Sequence, residues 1–499
     1  GVHGIAARTF AAVEAEQLSV STIFQASSES SIGFTLPALE AERAVHSIRH
    51  AFREELASGL IDNVSARRGI AVLAVVGDGM AGAPGIAARV FSALAAARIN
   101  VVAIAQGSSE RNISFAVNSS DAPEAARAVH GAFKLSKIGG GRPEAAPRTD
   151  VVLLGFGRVG RALADQIALP NGHASVRVVG LLDRSGYVFE PRGLSRKRLL
   201  DLTQKKDAGA LLASLGGRAA GAADALTFMA SHAVSRPVIV DVTSEETGDL
   251  LRTAIGHGFS VVLANKKPLA GSWDSYAGLL ATTSNGGPRV RYEATVGAGL
   301  PIIDTYHKLV ETGDRVLRIE GCVSGTLMFV VSAVSNGQRF SEAVRQAVER
   351  GYAEPDPRDD LSGRDAARKG LILARLLGYR GPAPTPDDLV PRPLKNVPLA
   401  AFLDRLSAFD EEWAARVAQE RARGRVLRYI VTATPRSVSA RLTAVPADSP
   451  IGALQGTRNL IAFTTRRYRT EPLVVSGPGA GAEVTAAGIL NDIYSLAAP

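Results

Sequence analysis

Hydrophobic residues recur along the chain with two spacings, and each spacing predicts one kind of element. Ile86, Val90 and Leu94 are four positions apart, as on one face of an amphipathic helix. Short continuous apolar runs such as VVLL from Val151 and VRVVGLL from Val176 are instead typical of strands buried on both faces of a parallel sheet. Both patterns recur along the chain, which predicts an α/β protein.

The first 120 residues contain an internal repeat. The segment from Gly1 returns at Gly82 without a gap, so that Gln25 matches Gln106 (106 − 25 = 81). Each copy predicts a helix, a strand, a polar turn, a second strand and another helix, which is an α+β module. The paired glutamine at the end of each first strand is either a hydrogen-bonded turn residue or a ligand for an amino acid. Its presence in both copies gives the two interpretations about equal weight.

A Gly- and Pro-rich segment over residues 138–149 predicts a linker, and a dinucleotide-binding pattern follows it. An apolar strand runs into six residues that open a helix: Gly155, Phe156, Gly157, Arg158, Val159 and Gly160. This is GxGxxG in its required strand–turn–helix context. The glycines permit a tight turn, close approach of the backbone to a pyrophosphate, and close packing of the helix.

The ends of the later strands carry candidate ligand-binding residues. Asp183 ends the second strand and favours the ribose of NAD, whereas its neighbour Arg184 favours the 2′-phosphate of NADP, so both cofactors stay open. Thr243, Asn265 and Lys266 follow two more buried strands. Ligands bind at the carboxyl ends of parallel strands, so we prefer Lys266 as a site residue over a solvated surface lysine.

The stretch EPDPRDDLSGRDAARK, from Glu354 to Lys369, is either a solvated charge run or a polar substrate pocket. Its two prolines predict a turn, and the residues from Asp360 predict the cap of a new helix. Asp365 and Lys369 are four apart and share one helical face. An exposed pair of this kind contributes little stability, but the apolar residues from Leu371 indicate a helix that enters a core. We therefore favour the pocket.

Composition narrows the class of protein. The chain of 499 residues predicts about three domains. Its net charge of +9 comes from arginines interleaved with acids and without clustered aromatics, so we expect no nucleic-acid partner. No apolar run reaches the roughly 18 residues of a membrane span. The single cysteine, Cys322, excludes an intrachain disulfide and suits a reducing cytoplasm.

The repeated modules resemble the paired ACT domains of aspartokinases. The resemblance implies that they bind an end-product amino acid, with threonine as the effector and Gln25 and Gln106 as its contacts. A strand from Gly69 precedes the second copy, but the first copy starts at Gly1 without one. We therefore expect the chain to begin inside a module, with an aspartokinase domain upstream.

Six ordered motifs between residues 150 and 499 resemble homoserine dehydrogenases: GFGRVG, ANKKPLA, YEATVGAGLPII, SGTL, GYAEPDPRDDLSGRDAARK and GPGAGAEVTAAGILNDI. With the ACT pair, the whole chain resembles the C-terminal part of bifunctional aspartokinase–homoserine dehydrogenases. This implies NAD(P)H-dependent reduction of L-aspartate 4-semialdehyde to L-homoserine, in a homodimer or homotetramer. The alternatives are a catalytically weak threonine-binding fragment and another dehydrogenase with the same nucleotide fold. The ordered motifs favour the first interpretation.

The resemblance also assigns roles to individual residues. The implied catalytic residues are Lys369, Lys266 and Asp365. The implied substrate-binding residues are Glu354, Asp360, Asp365, Gly325 and Thr326. The implied cofactor-binding residues are the six of the glycine motif with Asp183, Arg184, Thr243, Lys266, Gly351 and Gly481. A Na⁺ site is implied at Glu293 and the carbonyls of Val296, Ala298 and Leu300, although a glycine hinge fits the same loop.

The expected architecture follows from these segments. Two α+β ACT modules occupy residues 1–65 and 66–137. After the linker, a Rossmann-type domain occupies 150–290 and is completed by about 456–499. An α+β substrate-binding and dimerisation domain occupies 291–455.

Overall fold

The computed structural model describes residues 4–25, 31–77, 80, 85–107, 111–133, 148–169, 176–232, 234–281 and 288–497. It divides into two compact units, Gly1–Glu144 and Ala145–Pro499. The division falls within the segment that we predicted as a linker, of which residues 138–147 lie outside the described part of the chain.

The first unit repeats one arrangement of helices and antiparallel strands. The first copy contains α1 (Ile5–Ala15), β1 (Thr22–Gln25), β2 (Ile32–Thr35), α2 (Ala41–Ala51) and α3 (Arg53–Ala57). The second contains β3 (Ile70–Val76), α4 (Ile86–Ala96), β4 (Ala103–Gln106), β5 (Asn112–Asn118) and α5 (Ala122–Ala132). Strands β1 and β2 pair with each other, and the second copy forms a sheet of order β3-β5-β4. Val90 and Leu94 of α4 pack with Phe115 of β5 in one core, as the spacing of the helix residues predicts.

The first half of the second unit is a doubly wound sheet. Its elements are β6 (Thr149–Leu154), α6 (Arg158–Ile167), β7 (Val176–Asp183), β8 (Gly186–Phe189), α7 (Arg196–Asp207), α8 (Ala222–Ala230), β9 (Val238–Asp241), α9 (Gly248–Gly256), β10 (Ser260–Leu263), α10 (Lys267–Ala270), α11 (Trp273–Leu280) and β11 (Val290–Arg291). The strand order is β11-β10-β9-β6-β7-β8. All pairs are parallel except β7 with β8. Every residue of β6 and β9 is buried, because helices cover both faces.

The remaining chain builds an antiparallel sheet with helices packed on it. Its elements are α12 (Ile302–Glu311), β12 (Val316–Cys322), α13 (Gly325–Ser335), α14 (Phe340–Glu349), α15 (Arg358–Leu361), α16 (Arg364–Leu376), α17 (Leu399–Arg405), α18 (Asp410–Arg421), β13 (Arg425–Ala433), β14 (Val438–Pro446), β15 (Arg458–Thr465), β16 (Leu473–Pro478) and α19 (Ala482–Ala497). The strand order is β14-β13-β12-β15-β16. Helices α13, α16 and α18 pack against β13.

The C-terminal segment differs from the prediction that residues 456–499 complete the nucleotide-binding domain. Strands β15 and β16 belong to the antiparallel sheet, where β15 pairs with β12. Helix α19 alone returns to the nucleotide-binding sheet, where Ile489 and Ile493 join the core beside Leu163 and Val240. The prediction was therefore wrong for the strands, because an apolar strand pattern does not reveal which sheet the strand joins.

Within the described ranges, no helix has both the length and the hydropathy of a membrane span.

Candidate active site

The glycine-rich turn between β6 and α6 leaves room for a ligand. Gly155 has φ +105°, and a Cβ on Gly160 would lie 2.3 Å from the Gly155 carbonyl oxygen, so both positions require glycine. A Cβ on Gly157 would meet no atom within 4 Å. Gly157 is also the N-cap of α6, so no side chain satisfies the first N–H groups of that helix. The turn therefore presents backbone donors to open space, which suits a pyrophosphate.

The three side chains of this motif differ in their surroundings. Phe156 is buried in the core, so only its backbone can take part in cofactor binding. Val159 packs partly against the same core, and Arg158 is exposed at the first turn of α6.

The end of β7 carries the predicted ribose-binding residues and a lysine that the sequence analysis missed. Lys206 Nζ, in the last turn of α7, lies 2.5 Å from Asp183 Oδ2, and Ser185 donates to Oδ1 from its amide and its hydroxyl. Burial alone would raise the pKa of Asp183, but these donors hold it below its usual value. Arg184 is 88% exposed and pairs with Glu245 at 2.6 Å. The Lys205-Lys206 pair at a helix C-terminus was the available signal, but it is common on surfaces.

A buried carboxylate organises the ends of β9 and β10. Asp241 accepts hydrogen bonds from the amide and hydroxyl of Thr243 and from Asn265 Nδ2. Asn265 Oδ1 in turn accepts from the amide of Lys267. A Cβ on Gly155 would lie 3.1 Å from Thr243 Cγ2, so Thr243 borders the glycine-rich turn. This network fixes the backbone on both sides of Lys266.

Two lysines from different domains meet at one carboxylate. Lys369 Nζ lies 2.8 Å from Asp365 Oδ2 and donates to the Val323 carbonyl at 2.7 Å. Lys266 Nζ lies 3.3 Å from Asp365 Oδ1. Burial lowers the pKa of Lys266, which Asp365 partly counteracts. Burial would raise the pKa of Asp365, but Lys369 and Lys266 bring it well below its usual value.

The acidic loop beside this cluster is built around Asp360. We expected the residues from Asp360 to Gly363 to cap the next helix, and the N-cap of α16 is the last of them, Gly363, with φ 69°. Asp360 itself accepts hydrogen bonds from the amide of Glu354 and the hydroxyl of Thr326. Burial raises its pKa. The Glu354 side chain is exposed. A Cβ on Gly325 would lie 3.3 Å from the Thr457 carbonyl oxygen, so the start of α13 packs closely there. Asp360 thereby joins the first turn of α13 to the loop at Glu354.

Glu293, expected near a cation, begins a short 3-10 turn, and its side chain reaches the start of helix α12. Its carboxylate accepts hydrogen bonds from the amides of Ile302, Ile303 and Asp304 at 2.5–2.8 Å. Burial raises the pKa of Glu293 to about 7. Its own amide donates to the buried Asp492 of α19, whose pKa burial raises to about 8. Glu293 therefore joins its own turn to α12 through its carboxylate and to α19 through its amide, and the Na⁺ site remains a prediction.

Known proteins resemble every part of this arrangement. Residues 1–52 and 73–133 match the ACT domain family. Residues 155–293 match the NAD-binding domain of homoserine dehydrogenase, and residues 301–494 match homoserine dehydrogenase. A homoserine dehydrogenase of Paracoccidioides brasiliensis is 36% identical over 69% of this chain and 96% of its own length. The chain belongs to the homoserine dehydrogenase family.

Two further proteins are similar to this homoserine dehydrogenase family member, one in sequence along its whole length and one in its solved structure. A bifunctional aspartokinase/homoserine dehydrogenase of Zea mays is 39% identical over 100% of this chain, which spans 54% of that protein. The chain thus covers about half the length of such relatives. A hyperthermophilic archaeal homoserine dehydrogenase in complex with NADPH is 25% identical, with a TM-score of 0.54 over 70% of this chain and 97% of its own. The predicted resemblance and fold class are confirmed.

Other predicted site residues in this family member lie in exposed turns. Gly351 (φ +68°) follows α14, and Gly481 (φ +125°) precedes α19. A Cβ on Gly299 would lie 2.5 Å from the Val484 carbonyl, so the start of α19 packs against the loop from Val296 to Leu300.

The predicted effector residues end corresponding strands of the first unit. Gln106 is exposed at the end of β4. Gln25 ends β1, and its side chain lies outside the described part of the chain.

Proposed function

We propose that this protein catalyses the reduction of L-aspartate 4-semialdehyde to L-homoserine. The observation that carries the proposal is the meeting of Lys266 and Lys369 at Asp365, between the nucleotide-binding sheet and the substrate domain. Reduction of an aldehyde needs a hydride on carbon and a proton on oxygen. A bound nicotinamide cofactor supplies the hydride, and a lysine ammonium supplies the proton.

The two lysines are suited to different parts of this reaction. Lys369 is held by Asp365 and the Val323 carbonyl, so its ammonium has a fixed position from which to polarise the substrate carbonyl. Burial lowers the pKa of Lys266, which makes it the better proton donor to the forming alkoxide. Glu354 and Asp360 supply acids for the substrate amine. The amides of Gly325 and Thr326 are the first N–H groups of helix α13, and such groups bind an anion such as the substrate carboxylate.

Oxidation of NADPH with L-aspartate 4-semialdehyde tests the proposal. The wild-type chain should turn over, and Lys369→Met should lose about 10²- to 10⁴-fold in kcat while binding NADPH normally. Lys308→Met, on the exposed face of α12, is the matched control. An inactive wild-type chain would reject the dehydrogenase and leave the catalytically weak threonine-binding fragment. Equal loss of turnover and cofactor binding would mean that Lys369 is misassigned.

For the cofactor, we propose NADP over NAD. Lys206 neutralises Asp183, the residue that would favour an unphosphorylated ribose, and Arg184 is exposed beside it. Arg184→Ala should therefore weaken NADPH binding more than NADH binding, measured by titration of each reduced cofactor. Glu245→Gln, which frees Arg184 from its partner, is the control and should not weaken NADPH. An unchanged ratio in Arg184→Ala would exclude Arg184 as the phosphate contact.

We also propose the regulatory and assembly properties that the resemblance implies. Threonine is the proposed effector of the ACT pair, a homodimer or homotetramer is the proposed assembly, and the cytoplasm is the proposed location. For Na⁺, the carbonyls of Val296, Ala298 and Leu300 are hard oxygen ligands of the kind such ions take. The Glu293 carboxylate already accepts three amides, so we assign the ion to the carbonyls. Bound there, Na⁺ would stiffen the loop against α19.

A further inference from the structure

Arg375 is a buried arginine on the helix that carries Asp365 and Lys369. It lies in α16, six positions after Lys369, and only 4% of its surface is exposed. Its guanidinium donates to the carbonyl of Leu269 and, at 2.5 Å, to that of Gly271. It also lies 4.9 Å from the ring centroid of Tyr276 in α11. Both carbonyls belong to the nucleotide-binding half of the unit, so Arg375 crosses between the two halves.

The chemistry of this contact favours a specific positional role over simple packing. Among the described residues, no carboxylate forms an ion pair with Arg375. Its partners are carbonyls at the end of α10, where a helix leaves its last oxygens without internal partners. The planar guanidinium reaches two of them at once and stacks on an aromatic face, which a lysine ammonium cannot do. An apolar side chain would cost less to bury at this position than the Arg375 cation does, so packing alone does not account for the arginine.

The position of α10 connects this contact to the active site. Helix α10 begins at Lys267, directly after Lys266. At one end of α16, Asp365 lies 3.3 Å from Lys266. About 15 Å along the same helix, at 1.5 Å per residue, Arg375 holds the far end of the segment that follows Lys266. Two attachments at separate points fix both the distance and the orientation between the elements that carry the two lysines.

We infer that Arg375 is a positioning residue that sets the placement of Lys266 relative to Asp365 and Lys369. The inference rests on the proposed dehydrogenase reaction. Without Arg375, the turn after Lys266 loses its attachment to α16, and the two lysines no longer converge on one substrate carbonyl. We expect the defect in kcat rather than in cofactor affinity. The described contacts of Arg375 are with Leu269, Gly271 and Tyr276, and none is with the cofactor-binding turn from Gly155 to Gly160.

Steady-state kinetics of three Arg375 variants and one control variant test this role. Arg375→Met and Arg375→Lys should each lower kcat about 100-fold, the scale of a 1 Å misplacement of reacting groups, with NADPH affinity within about twofold of wild type. The matched control is Arg380→Met, because Arg380 is exposed and stacks on Trp273 of the same helix α11 at 5.2 Å. It should keep wild-type kcat. In Arg375→Ala, added guanidinium should restore kcat at least fivefold by occupying the vacated space.

A second measurement does not depend on turnover. Amine-specific labelling of Lys266, quantified by mass spectrometry across pH, reports its environment directly. In Arg375→Met, Lys266 should become more exposed, and its labelling should shift to higher pH than in wild type. Arg375→Ala should show the same shift of Lys266 labelling to higher pH, and added guanidinium should reverse it.

The outcomes separate this inference from the proposed function. An inactive wild-type chain would reject the proposed reaction, while the labelling shift would still test Arg375. Active wild type with unchanged kcat and unchanged labelling in Arg375→Met would overturn the positioning role. Lowered melting temperature without a kcat defect per folded molecule, or without guanidinium rescue, would show that Arg375 only stabilises the fold.

Discussion

Asp365 is the residue on which the charges of the site depend. Burial opposes its ionisation, yet two ammonium groups hold its pKa well below the usual value, so it remains a carboxylate. The spacing of Asp365 and Lys369 predicted their contact, because positions four apart share a helical face. The contact with Lys266 joins residues 99 positions apart (365 − 266 = 99) and was not predictable from spacing. The resemblance named both lysines, but only the structure brought them to one carboxylate.

Replacing Asp365 by Asn should change the pH dependence of aldehyde reduction. Burial lowers the pKa of Lys266 and the Asp365 carboxylate raises it, so the neutral amide should lower that pKa further. A lysine that donates the proton must be protonated, and reduction declines as pH rises through its pKa. The alkaline limb of kcat/KM should therefore move to lower pH in Asp365→Asn, measured between pH 6 and 10. A limb that stays in place would mean that Lys266 is not the proton donor.

At the scale of elements, the cofactor turn was the most predictable part of the molecule. The strand β7 and the turn after β6 lie where the apolar runs and the glycine motif place them. The contacts made by Lys206 and Arg375 were not predictable, since each crosses between elements that the sequence separates widely. Local pattern specifies a strand or a turn, but the partner of a long side chain depends on how elements pack.

Two glycine substitutions in this turn should have different consequences. A Cβ at position 157 meets open space, so Gly157→Ala should keep the melting temperature and weaken NADPH binding by obstructing its approach. A Cβ at position 160 would collide with the Gly155 carbonyl, so Gly160→Ala should cost about 1–3 kcal/mol of stability as well. Thermal melts and NADPH titrations of both variants separate these effects. Equal destabilisation by the two changes would contradict the distinction.

At the scale of the whole molecule, a pair of ACT-domain modules and a region of the homoserine dehydrogenase family share one chain. The repeat at an offset of 81 residues predicted the paired modules, because corresponding residues fall in corresponding elements, as Gln25 and Gln106 do at the ends of β1 and β4. The division of strands between the two sheets of the second unit was not predictable from their apolar character. We propose that a ligand bound to the first unit changes the affinity or turnover of the second, which is a coupling between two sites.

Gln106→Ala tests that coupling. If threonine binds beside the exposed end of β4, loss of the amide should raise the threonine concentration for half-inhibition about 5- to 150-fold, because one hydrogen bond to a charged ligand contributes about 1–3 kcal/mol. Turnover without threonine should be unchanged, because Gln106 belongs to the first unit and the lysine cluster to the second. His130→Ala, exposed on α5, is the control and should retain inhibition. Full inhibition in Gln106→Ala would place the effector elsewhere, and a wild-type chain that ignores threonine would remove threonine as the effector.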